Sequence, residues 1–189
     1  MREIPKDIIE KAAIGDMNAF EEIYKAFSSI VYNVAFNITH DRLDAEEAAQ
    51  DVFVKVFRKL KDFKFESSFG TWIYRIAVNT AITIYRSKAK HKQNVESFDE
   101  YPDLSVIKAP DRTKDELEKE SAKVKVAVML EHLTPEHRSC IVLREIEGLD
   151  YQEMAQILQI PINTVRSRLK RAREALVACC GKREACHGL

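Results

Sequence analysis

The stretch from Gly148 to Ala175 constrains this chain more than any other. It reads as two helices joined by a tight turn, the second carrying a comb of cations. Asp150 is placed to N-cap the first helix, and Glu153, three residues on, completes a capping box. Met154, Ala155 and Leu158 form a short apolar face. Pro161 cannot continue a helix but suits the start of a new one. From Asn163 the pattern resumes, with Val165, Leu169 and Ala172 inward and Arg166, Lys170 and Arg173 pointing elsewhere. Ala155 is small where crossing helices approach, and Ile160 is an apolar plug in the turn. This is the pattern of a helix-turn-helix whose basic second helix can lie in the major groove of DNA. An ordinary helical hairpin with a solvated basic face shares the same periodicity.

Local charge carries more information than the total. The 189 residues hold 30 basic and 30 acidic side chains, a net charge of zero. The segment 71–92 holds five Lys/Arg and no acid, 161–178 holds five and one acid, and 93–120 holds nine acids against four basic residues. Neutrality therefore comes from segregation and does not argue against a polyanionic partner. No apolar run approaches a membrane span and no signal-peptide core opens the chain, so a cytoplasmic protein is expected. All four cysteines fall in the last fifty residues, which is no disulfide framework for the whole chain.

The rest of the chain also reads as helix, giving an all-α protein of two helical domains. The first spans 1–92. A short helix over 7–14 is closed by Gly15; Asp16 opens a long one, whose stripe Phe20, Ile23, Tyr24, Phe27, Ile30, Val31, Val34, Ile38 is core. A third helix, 41–60, starts with acids that suit its dipole and carries more apolar positions than one buried stripe needs. Its surplus is either core or a docking surface. The break at 61–70 mixes aromatics, lysines and serines; such residues can hold unstacked bases or tuck under themselves. Ser67 or Ser68 can cap the next helix. Over 71–92, Trp72, Arg75, Asn79, Arg86 and Lys88 crowd onto faces other than the one built from Ile73, Ala77, Thr80, Ala81 and Ile84. Cations without acids favour phosphates; Trp72 can instead be a partly buried core ring.

Residues 93–114 form a flexible acidic linker with two prolines, either a soluble tether or a segment that threads a basic channel. The second domain, 115–178, begins with a helix over 115–132. Thr134 and Pro135 restart the chain as N-cap and first helical residue, and Gly148 ends that helix. Cys140 lies in an apolar run and reads as inert core. The tail 179–189 offers Cys179, Cys180, Cys186 and His187, donors a thiophilic metal accepts, although adjacent ligands crowd a single tetrahedral ion. Incidental thiols on a tail are the other reading; no further cofactor is expected.

Three stretches, 44–60, 69–81 and 133–155 followed by 163–176, with the T-W-I-Y-R-I-A-V-N run and the T-V-R-S-R-L-K-R-A-R-E run, closely resemble bacterial sigma factors of the extracytoplasmic-function (ECF) group in the sigma-70 family. The resemblance covers about Asp16 to Leu176 in the right order. It implies an alternative sigma factor that binds core RNA polymerase and directs transcription initiation at promoter DNA. Residues 16–92 would be region 2, with Gln50, Asp51, Phe53 and Phe57 on the polymerase-docking helix. Lys64, Phe65, Ser68, Phe69, Trp72, Arg75, Asn79, Arg86 and Lys88 would meet the −10 element, the loop receiving a flipped base near Asn79. Residues 121–178 would be region 4, with Thr164, Arg166, Ser167, Lys170 and Arg171 on the helix that reads the −35 element. A separate anti-sigma protein is implied as a further partner. The Cys/His tail departs from the many members that end soon after the R-A-R-E helix.

No nucleophile–base pair, phosphate loop or carboxylate pair is suggested by spacing, so no catalytic site is expected; chemistry would belong to the polymerase. A helix-turn-helix regulator that works on duplex DNA alone is the competing reading, but it has no need of a second nucleic-acid segment at 61–92. A metal- or redox-responsive binding protein rests on the tail alone.

Overall fold

Capping side chains set where the helices begin. In the computed structural model, which describes residues 3–94, 126 and 128–186, Asp16 starts α2 (Met17–Thr39) by accepting hydrogen bonds from the amides of Asn18 and Ala19. Asp41 starts α3 (Arg42–Lys59) by accepting from the amide of Asp44. Each satisfies amides that the first helical turn leaves without a partner. Ahead of them, α1 (Lys6–Ala13) ends at Gly15, whose φ of 100° suits glycine. A 3₁₀ turn over Leu60–Asp62 extends α3, and α4 covers Phe69–Asn94, two residues earlier than the sequence pattern suggests. The reason is Ser68, whose Oγ accepts from the Thr71 amide at 3.0 Å.

The first half is one helical bundle. Ile23, Phe27, Val31, Val34 and Ile38 of α2 are buried against Ala45, Ala48, Val52 and Val56 of α3 and Ile73, Ala77, Val78 and Ala81 of α4. The alanines let the backbones come close, and the larger side chains supply the favourable term, about 1.5–3 kcal/mol each when fully buried.

The acidic linker expected over 93–114 lies outside the described residues beyond Asn94, as does most of the helix expected over 115–132; residues 128–131 are helical. Thr134 caps α5 (Pro135–Ile141) with Pro135 at its first position, as the sequence implies. A π turn over Val142–Ile146 follows, and Gly148 reverses the chain at a φ of 70°. The second half continues as α6 (Tyr151–Leu158) and α7 (Ile162–Cys186). Leu143, Met154, Ile157, Val165, Leu169 and Ala172 form its core. Cys140 is buried there, and burial pushes its thiol up to about 11, so it is inert as expected. Among the described residues the protein is helical without strands, and no helix is long and apolar enough to cross a membrane.

Candidate nucleic-acid interface

The helix-turn-helix is built by short-range hydrogen bonds. Asp150 accepts from the amides of Gln152 and Glu153 at 2.7 and 2.8 Å, and the Glu153 carboxylate accepts from the Asp150 amide at 2.8 Å, the complete capping box. Gln159 ends α6 in the left-handed region at φ 54°, and the Ile160 amide donates to the Ala155 carbonyl. Ile160 packs on the core from within the turn. Pro161 precedes α7, its carbonyl accepting from the amides of Thr164 and Val165.

Along α7, Val165, Leu169 and Ala172 point inward while Arg166, Ser167, Lys170 and Arg171 are exposed and Thr164 is half-buried. Arg166 donates to the Asn163 side chain at 3.3 Å, and Lys170 sits 3.9 Å from Glu174, a loose pair on open surface. Arg173 differs. Its guanidinium donates twice to Glu145 of the preceding segment, and that hydrogen bond raises its pKa. Arg173 therefore braces the motif, and Arg166, Lys170 and Arg171 are the cations it presents.

The second surface is on α4 and the loop before it. Phe63 sits at the centre of an aromatic cluster, with ring centroids 4.7 Å from Phe65, 5.4 Å from Phe69 and 5.1 Å from Trp72. The loop thus tucks its rings under itself and leaves edges exposed: Phe65 is 42% accessible, with Lys6 Nζ over its ring at 5.0 Å. Lys64 is exposed, and Trp72 and Arg75 are half-buried. A cavity of about 330 Å³ opens here, lined by Phe63, Lys64, Trp72 and Arg75 with Gln156 of α6 on its far side. Next to it, Trp72, Arg75 and Asn79 line a second hollow with Lys55 and Lys59 of α3 and Gln159 of α6. Lys55 donates to Thr80 Oγ1 at 3.0 Å. The sequence reading overlooked both lysines; their i, i+4 spacing at the end of α3 was the available signal, hidden because α3 read as a docking helix.

A third surface lies on α3. Leu43, Val54 and Phe57 are exposed at 72, 48 and 46%, and with Gln50 they fall on one helical stripe. Asp51 is exposed beside Lys55. The surplus apolar face of α3 is therefore solvent-facing.

Two family patterns match in chain order: sigma-70 region 2 over residues 23–91 and sigma-70 region 4 over residues 123–176. The RNA polymerase sigma-H factor of Pseudomonas aeruginosa is 32% identical over 184 residues, covering 93% of each chain. This chain belongs to the ECF group of the sigma-70 family. The ECF RNA polymerase sigma-E factor of Escherichia coli strain K12 is 32% identical over 176 residues, 89% of this chain and 90% of that one. Among solved structures, CnrH in complex with the cytosolic domain of CnrY aligns with a TM-score of 0.68 at 25% identity, covering 93% of this chain and 96% of that one. The sigma factor RpoE of Bartonella quintana, in complex with the anti-sigma factor NepR, shares the fold at a TM-score of 0.61 and 22% identity, covering 83% of this chain and 93% of that one. As an alternative sigma factor, the protein directs DNA-templated transcription initiation.

Within this sigma factor several expected contact residues are engaged in the fold. Phe69 is only 6% accessible, wedged between Phe27 and Trp72, and is a core ring. Ser68 spends its hydroxyl on the α4 cap. Phe53 is 7% accessible against Tyr24, so of the docking set only Gln50, Asp51 and Phe57 face outward. Arg86 is paired with Glu136 and Lys88 with the buried Asp44. The reason is common to all five: each sits where the fold needs a filler, a cap or a counter-charge, and packing claimed it. Cys179 is half-buried, and the side chains of Cys180 and Cys186 and all of His187 lie outside the described residues.

Proposed function

We propose that this sigma factor reads its promoter with two separate surfaces. The recognition helix α7 enters the −35 major groove with Arg166, Lys170 and Arg171, while Thr164 and Ser167 set its register against the backbone. The groove on α4 takes single-stranded bases of the −10 element: Trp72 and the exposed edge of Phe65 supply stacking, Asn79 hydrogen bonds to a flipped base, and Lys64, Arg75, Lys55 and Lys59 meet phosphates. The observation that carries this reading is the hollow in which Trp72, Arg75 and Asn79 of α4 are flanked by Lys55 and Lys59 of α3. Flipping a base costs a few kcal/mol of stacking, and a pocket with one amide and an aromatic wall offsets that. Core RNA polymerase docks on the exposed Leu43–Gln50–Val54–Phe57 stripe of α3, with Asp51 facing a cationic partner.

The protein works in the cytoplasm, carries no catalytic group of its own, and is held silent by an anti-sigma protein that covers α3 and α7. The tail thiols with His187 form a thiophilic-metal set; replacing Cys179, Cys180 and Cys186 together by serine removes any metal response of promoter activity, and an unchanged response refutes that role. The main test is run-off transcription with purified core polymerase on a pool of promoter fragments. Specific transcripts are expected only with this protein, weaker with Asn79→Ala and with Arg166→Ala. Specific duplex binding without core-dependent transcription would reject the reading in favour of a stand-alone regulator.

A further inference from the structure

Phe65 is held in a conformation that a bulky residue rarely adopts. Its φ is 57°, in the left-handed region. The other non-glycine residues found there among the described residues, His40 and Gln159, end helices α2 and α6, and each amide makes a capping hydrogen bond. Phe65 ends no helix. Its strained backbone instead holds the ring out of the loop, leaning on Phe63 at 4.7 Å and 42% accessible. Strain of this kind collects at ligand clamps.

The touching rings of Phe63 and Phe65 line two different hollows. Phe63 lines the cavity of Lys64, Trp72 and Arg75. Phe65 lines a second one, of about 420 Å³, that lies against α1, and Ser67 belongs to both. Ile4, Ile9 and Phe69 supply the apolar part of the second lining. α1 packs on the 3₁₀ turn over Leu60–Asp62, which sets Lys6 beside the loop. Lys6 Nζ lies 5.0 Å from the Phe65 ring centroid, its side chain is 69% accessible, and it pairs with Glu10 at 3.4 Å, one helical turn on. Both are weak surface contacts, and an aromatic face stacks a nucleobase more strongly than it holds an exposed ammonium. Two acids also line the hollow, Glu3 and, from α6, Glu153; Glu153 is committed to the Asp150 amide. α1 precedes residues 23–91, the span of the region 2 pattern.

We infer that α1 and Phe65 form a second nucleobase site. The −10 strand places one unstacked base in the Trp72–Arg75–Asn79 hollow and a neighbouring one on Phe65, with Lys6 moving from the ring to a phosphate of the strand. The site offers stacking, which every base can meet, so it adds affinity and register rather than sequence preference. The inference rests on the assignment of α4 to the −10 strand.

The test uses holoenzyme assembled from core polymerase and the full chain, on the promoter fragment it transcribes best. The −10 region is pre-melted by mismatches, and each of its non-template nucleotides is replaced in turn by an abasic one. With the wild-type protein, two positions should each cost about tenfold in affinity. Asn79→Ala should shrink the penalty at one position and Phe65→Gly at the other, because a missing base no longer matters once its partner is gone. Phe65→Gly also removes the backbone strain, so the urea midpoint of the free protein should hold or rise while affinity falls about tenfold. Lys6→Ala should weaken binding severalfold and make its salt dependence shallower, and Lys6→Arg should restore both. A single sensitive position coupled to Asn79 and Phe65 alike overturns the second site and keeps the −10 assignment. So does a Phe65→Gly loss that is equal on every abasic fragment, or one matched by a lower urea midpoint. Unchanged affinity and salt dependence in Lys6→Ala overturn the part given to α1. Absence of coupling between Asn79 and any position defeats the −10 assignment itself, and the second site with it.

Discussion

The two helices assigned to DNA, α4 and α7, have similar charge and opposite commitments. On α7, Arg166, Lys170 and Arg171 stand in solvent, tied at most to a neighbour on the same helix, as Arg166 is to Asn163 and Lys170 loosely to Glu174, and Arg173 is the one held by a carboxylate from another segment, Glu145. On α4, Arg86 and Lys88 are occupied by carboxylates from elsewhere in the fold, and Trp72 and Arg75 lie in a groove partly faced by α6. A duplex can meet α7 as it stands. The charged end of α4 is already paired within the fold. The difference teaches that basic composition alone does not make a ready surface; what matters is whether the fold has already supplied the counter-charge.

Substitutions at the buried end of this contrast should have the largest effects. Phe69→Ala removes a core ring, and a stability loss of about 3–5 kcal/mol is expected in urea unfolding; a loss below about 1 kcal/mol would return Phe69 to the exposed aromatics. Arg138→Met removes the donor shared by the carbonyls of Ile38, Leu130, Glu131 and Leu133 and should cost at least about 3 kcal/mol, measured in the same way. Near-wild-type stability would mean that the buried guanidinium contributes little to holding the two halves together.

On the exposed side, Arg166→Ala should leave stability within about 0.5 kcal/mol. It should weaken promoter binding by the polymerase complex by about 1–3 kcal/mol if Arg166 reaches a base edge. A uniform loss across promoter sequences, with a shallower salt dependence, would make it a phosphate contact instead. Phe57→Ala separates the third surface: polymerase affinity should fall severalfold in a binding titration while the unfolding midpoint moves little, because the ring is 46% accessible and touches Phe20 edge-on.

The smallest effect concerns pH. His40 caps α2 in the left-handed region, its ring nitrogens shielded and without hydrogen-bond partners among the described residues. Burial, then the nearby Arg138 charge, lowers its pKa from 6.5 to about 4. The folded state thus holds the ring neutral where the unfolded chain would already bind a proton. Stability rises with pH in that window: it is complete above about 6.5 and is lost progressively as pH falls toward 4. Asp41, Asp44, Lys88, Tyr85 and Glu131 line the same cavity as His40 and Arg138. Urea midpoints between these limits should slope upward with pH, and His40→Gln should flatten the slope; an unchanged slope would assign it to the carboxylates.

The helix-turn-helix was legible because its instructions are local. Asp150, Glu153 and Thr134 act on amides within three residues, and Val165, Leu169 and Ala172 need only the helical period to share a face. Lys88, by contrast, is a cation with no acid nearby in sequence, and only folding brings Asp44 to it across 44 residues. Phe53 and Phe57 look alike on one helix, and the neighbours Tyr24 and Phe20 decide which is buried.

By itself, then, the sequence determined the all-helical architecture, the order of two sigma-70 regions, the caps and the basic face of α7, because periodicity, capping and family motifs are read within a few turns of chain. Only the tertiary structure decided which cations and aromatics remain available and that the buried Arg138 donates to the carbonyl of Ile38, a hundred residues away. Those outcomes depend on which distant carbonyl, carboxylate or ring arrives at each side chain, and no local pattern records that.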